Sequence, residues 1–413
     1  MAGRMDRHPL TLTIVWHPSC QGGAIAAEAL AEWFEPLNAS NLMTGLRIPV
    51  RIRSESESGK AGEAPLAIQL DEADVNLVLV LGTGDLMEAA GGPWKGFFDR
   101  LTGDMAARGQ SDTLLVAAFD KQGLALPQAP NLQAQRTYEW SEEIFIRDGT
   151  NLKIGPGLVR LAIIAADAFA YRLLFLEAKE LAKEKDGNDA FAEDDFDLPT
   201  QTLFLSHTKF DATGVGLATR IFDLIQKNPY QLAVFLDAQH LRPGLNFYSQ
   251  LTRAIAKGSF LAIVTDKYAG RPVCQFEVLE AKRQRRPVFV AYLVEKGEDR
   301  TFPYVGNVPV RILPREPSRA EIDLLLLDCC LEYLRGLSFR REAEQSVKDL
   351  KARNETVDLL CRKPELSDMV IWNDPKGTKP TVVVYPDPPL AKHELLLMSS
   401  LSSGVAFKAL SEV

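Results

Sequence analysis

The sequence predicts an α/β protein: two parallel-sheet domains in tandem, joined by a long helix and an acidic linker and followed by a small C-terminal α/β unit. Three observations carry this expectation. Short β-branched, apolar runs alternate with segments whose apolar residues recur at helical spacing, the pattern of βαβ units over a parallel sheet. The same order of elements occurs twice, in residues 11–119 and 202–294, which reads as an internal duplication. Between the copies, residues 185–199 (KDGNDAFAEDDFDLP) are too polar to be core and read as a linker. At 413 residues, with domains of roughly 100–200 residues, the expected divisions are 1–155, 156–200, 201–318 and 319–413.

Thr11–Trp16 is apolar and β-branched and predicts a strand, followed by the turn His17–Gly23 and a helix over Ala24–Phe34. Ile48–Arg53 alternates apolar and basic residues, as a half-exposed edge strand does. Val75–Leu81 is a continuous apolar run suited to a buried parallel strand, Trp94–Leu101 a short helix, and Thr113–Phe119 a further strand. Residues 157–184 predict the long helix. In the second copy, strands are expected at 203–206, 232–236, 260–265 and 287–294, and helices at 216–226, 247–256 and 274–283. Beyond Arg311 the expectation is two helices, Arg319–Leu334 and Arg340–Ala352. Short strands at 357–360, 368–372 and 380–385 and a helix at 393–401 complete the chain.

Composition narrows the function. The chain is 46% hydrophobic and 25% charged, enough to bury real cores without staples. Its net charge of -8 argues against broad nucleic-acid binding, which depends on neutralising phosphates. The five cysteines, Cys20, Cys274, Cys329, Cys330 and Cys361, lack metal-type spacing and suggest reduced thiols in a cytoplasm. No apolar run approaches the roughly 18–20 residues of a membrane span. None of the five histidines stands at H-x-x-x-H or H-E-x-x-H spacing, so no metal site is expected. Gly82-Thr83-Gly84 and Gly214-Val215-Gly216 lack the third glycine of a dinucleotide fingerprint, having Met87 and Thr219 in its place. P-loop and nucleophile-elbow motifs are also absent, and no cofactor is expected.

Open α/β sheets bind ligands beyond the carboxyl ends of their strands. Three segments of the second copy gather there: Ser206–Asp211, Asp237–Phe247 and Asp266–Glu277. Ser206, His207 and Asp211 are placed on one wall. Asp237, Arg242 and Gly244 belong to a flanking loop, in which Arg242 is suited to pairing with phosphate. Glu277 falls in the first turns of a helix that points near the cleft.

Phe204-Leu205-Ser206-His207 with Asp211, then Phe235-Leu236-Asp237 followed by Arg242-Pro243-Gly244, then Ala254-Ile255-Ala256-Lys257-Gly258-Ser259, then Tyr268 and Cys274-Gln275-Phe276-Glu277, stand in this order. Together they resemble a TIR (Toll/interleukin-1 receptor) domain of the prokaryotic NAD-cleaving effector type, and the resemblance covers residues 202–312. It implies a flavodoxin-like sheet and Glu277 as catalytic carboxylate, with Cys274 beside it. It also implies NAD as substrate, self-association through TIR domains, an activating ligand or partner protein, and a role in immune defence. Where the family often has Trp before the cysteine, this chain has Val273. A carboxylate suits the chemistry: losing nicotinamide leaves oxocarbenium-like charge on ribose, and a nearby anion stabilises it. The alternative reading is a non-enzymatic adaptor. In the first copy, counting four residues from Trp94 puts Phe98 where Glu277 stands, which implies a catalytically silent TIR-like domain.

Overall fold

A computed structural model describes residues 7–35, 48–55, 62–141, 143–148, 150–186, 201–227, 232–236, 240, 244, 246–296, 304–373 and 379–413. The chain divides into two compact units, Met1–Leu37 with Arg47–Leu198, and Asn38–Leu46 with Pro199–Val413. The long helix therefore belongs to the first unit and the C-terminal α/β portion to the second. Of the acidic segment, residues 187–199 lie outside the described residues.

The first unit holds a parallel sheet of β1 (His8–Trp16), β2 (Val50–Arg53), β3 (Ala73–Gly82) and β4 (Thr113–Ala118), ordered β2-β1-β3-β4. β1 and β3 are buried along nearly their whole length, which is why they read as apolar runs rather than alternating ones. The helices are α1 (Gly23–Phe34), α2 (Gly84–Gly91), α3 (Lys95–Arg108) and α4 (Pro156–Asp186). Trp94, Phe97, Phe98 and Leu101 pack on Val15, Val78, Val80 and Val116, one face of the pleat. Phe34 of α1 meets Phe169 of α4 with ring centroids 6.2 Å apart. An antiparallel hairpin, β5 (Phe145–Asp148) and β6 (Asn151–Ile154), lies between β4 and α4 in the chain.

In the second unit, β7 (Thr202–Ser206), β8 (Ala233–Phe235), β9 (Gly258–Val264), β10 (Val288–Tyr292) and β11 (Val310–Ile312) form a five-stranded parallel sheet. In chain order the arrangement is 2-1-3-4-5, the flavodoxin-like topology, and the first sheet repeats its first four strands. Gly258 is required where β9 starts, because a Cβ there would collide with the carbonyl oxygen of Thr202. The helices are α5 (Ala212–Lys227), α6 (Phe247–Ile255) and α7 (Pro272–Arg283). Phe204, Phe260, Ala262, Val264, Val288 and Val290 form the face on which α6 and α7 pack.

Arg319–Ala352 is a single helix, α8, rather than the two expected. The helix runs unbroken through residues 335–339, where Gly336 lies against Pro287 and Cys361. Next come β12 (Val357–Leu359), β13 (Val382–Tyr385) and β14 (Ala406–Ala409), a three-stranded parallel sheet with α9 (Leu366–Trp372) and α10 (Lys392–Leu401). Residues 368–372, expected as a strand, are helical. Glu365 and Asp368 form a capping box that satisfies the first amides of α9, and this local signal outweighs the strand preference of Val370-Ile371-Trp372.

Candidate active site

Phe204 faces α7 from β7, and the pleat's period of two puts Ser206 on the same side. Helix α7 starts at Pro272, with Arg271 at its N-cap, and presents Cys274, Glu277, Val278 and Ala281 to the sheet. This i, i+3, i+4, i+7 stripe is apolar except for Glu277. Its carboxylate is therefore carried under the helix, only 4% exposed, where an ionised group needs partners. Ser206 supplies one: its Oγ donates to Glu277 Oε2 at 2.6 Å. The Tyr268 hydroxyl lies 2.6 Å from the same Oγ.

The carboxylate sits at the side of an open cleft of about 240 Å³, beyond the carboxyl end of β7. His207, Thr208, Lys209 and Phe210 form one wall, Arg271, Pro272, Val273 and Cys274 another, and Phe247 closes the rim from α6. The Cys274 thiol donates to the main-chain oxygen of His207 at 3.7 Å, joining the two walls. Arg271 stacks its guanidinium over the Phe210 ring, 3.7 Å from the centroid, while that ring stays 64% exposed. Lys267 donates to the Phe210 carbonyl oxygen at 3.2 Å, fixing the loop that carries the ring. The mouth is thus cationic and aromatic and the interior acidic. Burial, with the neighbouring Cys274 and Glu277, pushes the Tyr268 phenol well above its ordinary value.

Of the residues singled out in the sequence, Glu277, Ser206, His207 and Cys274 come together here. Asp211 does not join them: its Oδ1 accepts from Thr213 N at 2.9 Å and caps the start of α5. Gly244 stands in a turn at φ +82° and is not part of the cleft wall. Asp237 and Arg242 lie outside the described residues. Lys209, Phe210, Phe247 and Arg271 lie in the three segments expected beyond the strand ends but carry no individual sequence signature of a site, and neither does the buried Tyr268. Arg271 has only a positional signal, since Pro272 marks the first helical position and places its predecessor at the helix mouth. Among the described residues, no group of three or more His, Cys, Asp or Glu is arranged to hold a metal ion.

The first unit offers a comparison at the same place in its sheet. Helix α3 and its cap bury Trp94, Phe97, Phe98 and Leu101 with the rhythm of Cys274, Glu277, Val278 and Ala281. This alignment sets Trp94 against Cys274 and Phe97 against Glu277, one residue from the Phe98 expected. His17 follows β1 as His207 follows β7, and its ring lies 5.4 Å from Trp94, just as His207 touches Cys274. The equivalent position remains aromatic. Asp99, the nearby carboxylate, is on the surface and paired with Lys95.

Comparison with known protein families shows that residues 203–323 match the TIR domain family. Comparison with curated proteins found no match. Among solved structures, the chain is 12% identical to a tagatose-6-phosphate ketose/aldose isomerase from Escherichia coli, covering 82% of this chain and 84% of that one at a TM-score of 0.20. A putative tagatose-6-phosphate ketose/aldose isomerase from Clostridium novyi NT is 10% identical, covering 79% and 78%, with a TM-score of 0.17. Similarity that low carries no argument about this chain. No helix among the described residues is long and apolar enough to cross a membrane.

Proposed function

With residues 203–323 forming a TIR domain, we propose that this domain cleaves the bond between nicotinamide and ribose in NAD, with Glu277 as the catalytic carboxylate. The observation that carries this reading is a buried, hydrogen-bonded carboxylate beside a cleft whose mouth is cationic and aromatic. The cleft's volume suits the nicotinamide riboside half of NAD. Lys209 and Arg271 are suited to the pyrophosphate, and the exposed faces of Phe210 and Phe247 to stacking with a base.

In this reading the glycosidic C–N bond breaks and its electron pair goes to the nicotinamide nitrogen, neutralising the pyridinium. No general acid is needed. The Glu277 carboxylate stabilises the positive charge left on ribose, in a site where burial strengthens the interaction. Water then adds to the anomeric carbon and loses a proton, giving ADP-ribose; attack by the adenine ring in place of water would give a cyclic product. As an effector of immune defence, such an enzyme would act by depleting NAD or by making a signal, switched on by self-association or by a bound partner.

A second reading, an adaptor that assembles without turnover, draws on the first unit, whose sheet has the same order but carries Phe97 in place of the carboxylate. Nicotinamide release from NAD by the full-length protein separates the two. Release that Glu277→Gln lowers by about 100-fold or more supports the enzyme. Release absent from the wild type across a range of protein concentrations supports the adaptor.

A further inference from the structure

We infer that Tyr268 and Ser206 are positioning residues for Glu277, forming a one-way hydrogen-bond chain that holds the carboxylate charged and fixed beside the cleft. The inference rests on reading Glu277 as the reacting group. Counting protons sets the direction. Ser206 has one hydroxyl proton, and it is directed to Glu277 Oε2, which as a carboxylate oxygen accepts. At the 2.6 Å contact with Tyr268, Ser206 Oγ is therefore the acceptor and the phenol the donor.

All three groups are buried: Ser206 is 1% exposed, Tyr268 0% and Glu277 4%. Water does not replace a lost partner at such a place without cost. Tyr268 is also held at both ends of its turn. Its amide donates to the Thr265 carbonyl oxygen at 3.0 Å, and its own carbonyl accepts from Arg271 N at 3.1 Å. The ring is packed in the core under α7. Burial, with the neighbouring Cys274 and Glu277, pushes the phenol above its ordinary value and so favours its protonated, donating form. Among the described residues, the other titratable groups lining the same cleft as Glu277 are Cys274 on its own helix and His207, Lys209 and Arg271 on the walls. None of these residues lies between Tyr268 and Ser206.

The test follows the Glu277 carboxylate by carbon-13 NMR in the full-length protein through a pH titration, in wild type, Tyr268→Phe and Ser206→Ala. Tyr268→Phe keeps the buried ring, and Ser206→Ala gives a second route should the first variant fold poorly. The hydrogen-bond chain predicts that the titration midpoint rises by about one pH unit in Ser206→Ala, the scale of one hydrogen bond to a charged acceptor, and by about half a unit in Tyr268→Phe, whose bond reaches the carboxylate only through Ser206. Alongside it, kcat for nicotinamide release falls about tenfold with KM nearly unchanged. Midpoints that stay at the wild-type value in both variants overturn the inference. A wild type without turnover but with shifted variant midpoints leaves the positioning chain standing and removes the NAD reading. Glu277-dependent turnover with unshifted midpoints removes the chain alone.

Discussion

Arg271 sits where two demands meet. Its backbone caps the start of α7, and its guanidinium lies flat on Phe210 at the mouth of the cleft. A planar cation stacked in this way is held ready for a phosphate without a large loss of side-chain freedom on binding. Arg271→Ala is therefore expected to raise KM for NAD about tenfold and to leave kcat within about twofold, as for loss of binding shared by ground and transition states. Steady-state kinetics at several ionic strengths checks this; an unchanged KM removes Arg271 from the phosphate site. At this scale Glu277 was legible in the sequence. Its place came from the loops beyond the strand ends and from its register with Cys274 in the motif order, while the burial of its carboxylate did not show in the sequence. Its partners were less legible, because Ser206 and Tyr268 are 71 and 62 residues from the groups they bond.

Among the elements, α4 carries an acid at a costly position. Asp167 lies in its middle, and burial raises its carboxyl from 3.8 to about 7. The folded state holds the proton more tightly than the unfolded chain, so this group's favourable contribution is complete below about pH 4 and is lost as pH rises towards 7. Asp167→Asn is expected to stabilise the protein by about 1–2 kcal/mol more at pH 8 than at pH 5. Thermal unfolding at the two pH values measures this, and equal gains at both contradict it. The central strands β3 and β9 were clear in the sequence because they are buried on both faces. β11 and β14 were missed: β11 is three residues long and exposed at Ile312, and β14 is a short edge strand. Helix α8 was divided wrongly, because the dense apolar face of 319–334 and the charged pattern of 340–352 differ in composition, whereas contacts of Gly336 with Pro287 and Cys361 carry one helix through the junction.

At the scale of the molecule, two units repeat one sheet order, and among the described residues the matching helix position holds Glu277, bonded to Ser206 of the first strand, in the second unit and Phe97 in the first. Within that second unit, α7 is tied to the C-terminal sheet by ion pairs from the end opposite Arg271. Lys282 pairs with Glu365, and Arg285 pairs with Asp358 and, at 2.9 Å, with Asp368. Asp368 is fully buried, with Arg362 bonding both its oxygens at 2.8 Å. Burial alone would raise its carboxyl, but Arg362 and Arg285 draw it below the usual carboxylate range. Its contribution to stability is therefore present above about pH 4 and is lost as pH falls through its folded value. Asp368→Ala removes the buried acid that Arg285 and Arg362 share, leaving Arg285 with Asp358 and Arg362 with Glu365, and is expected to cost about 3 kcal/mol at pH 7. Urea unfolding followed by amide exchange in β12 and α9 reads this loss, and an unchanged midpoint would show that the pairs do not hold the C-terminal portion.

The central claim is that Glu277 breaks the nicotinamide bond, and the most direct measurement is nicotinamide release from NAD by full-length wild type and Glu277→Gln across a range of protein concentrations. Release is expected to rise more than proportionally with wild-type concentration and to fall at least about 100-fold in the variant. Equal release by the two proteins would contradict it.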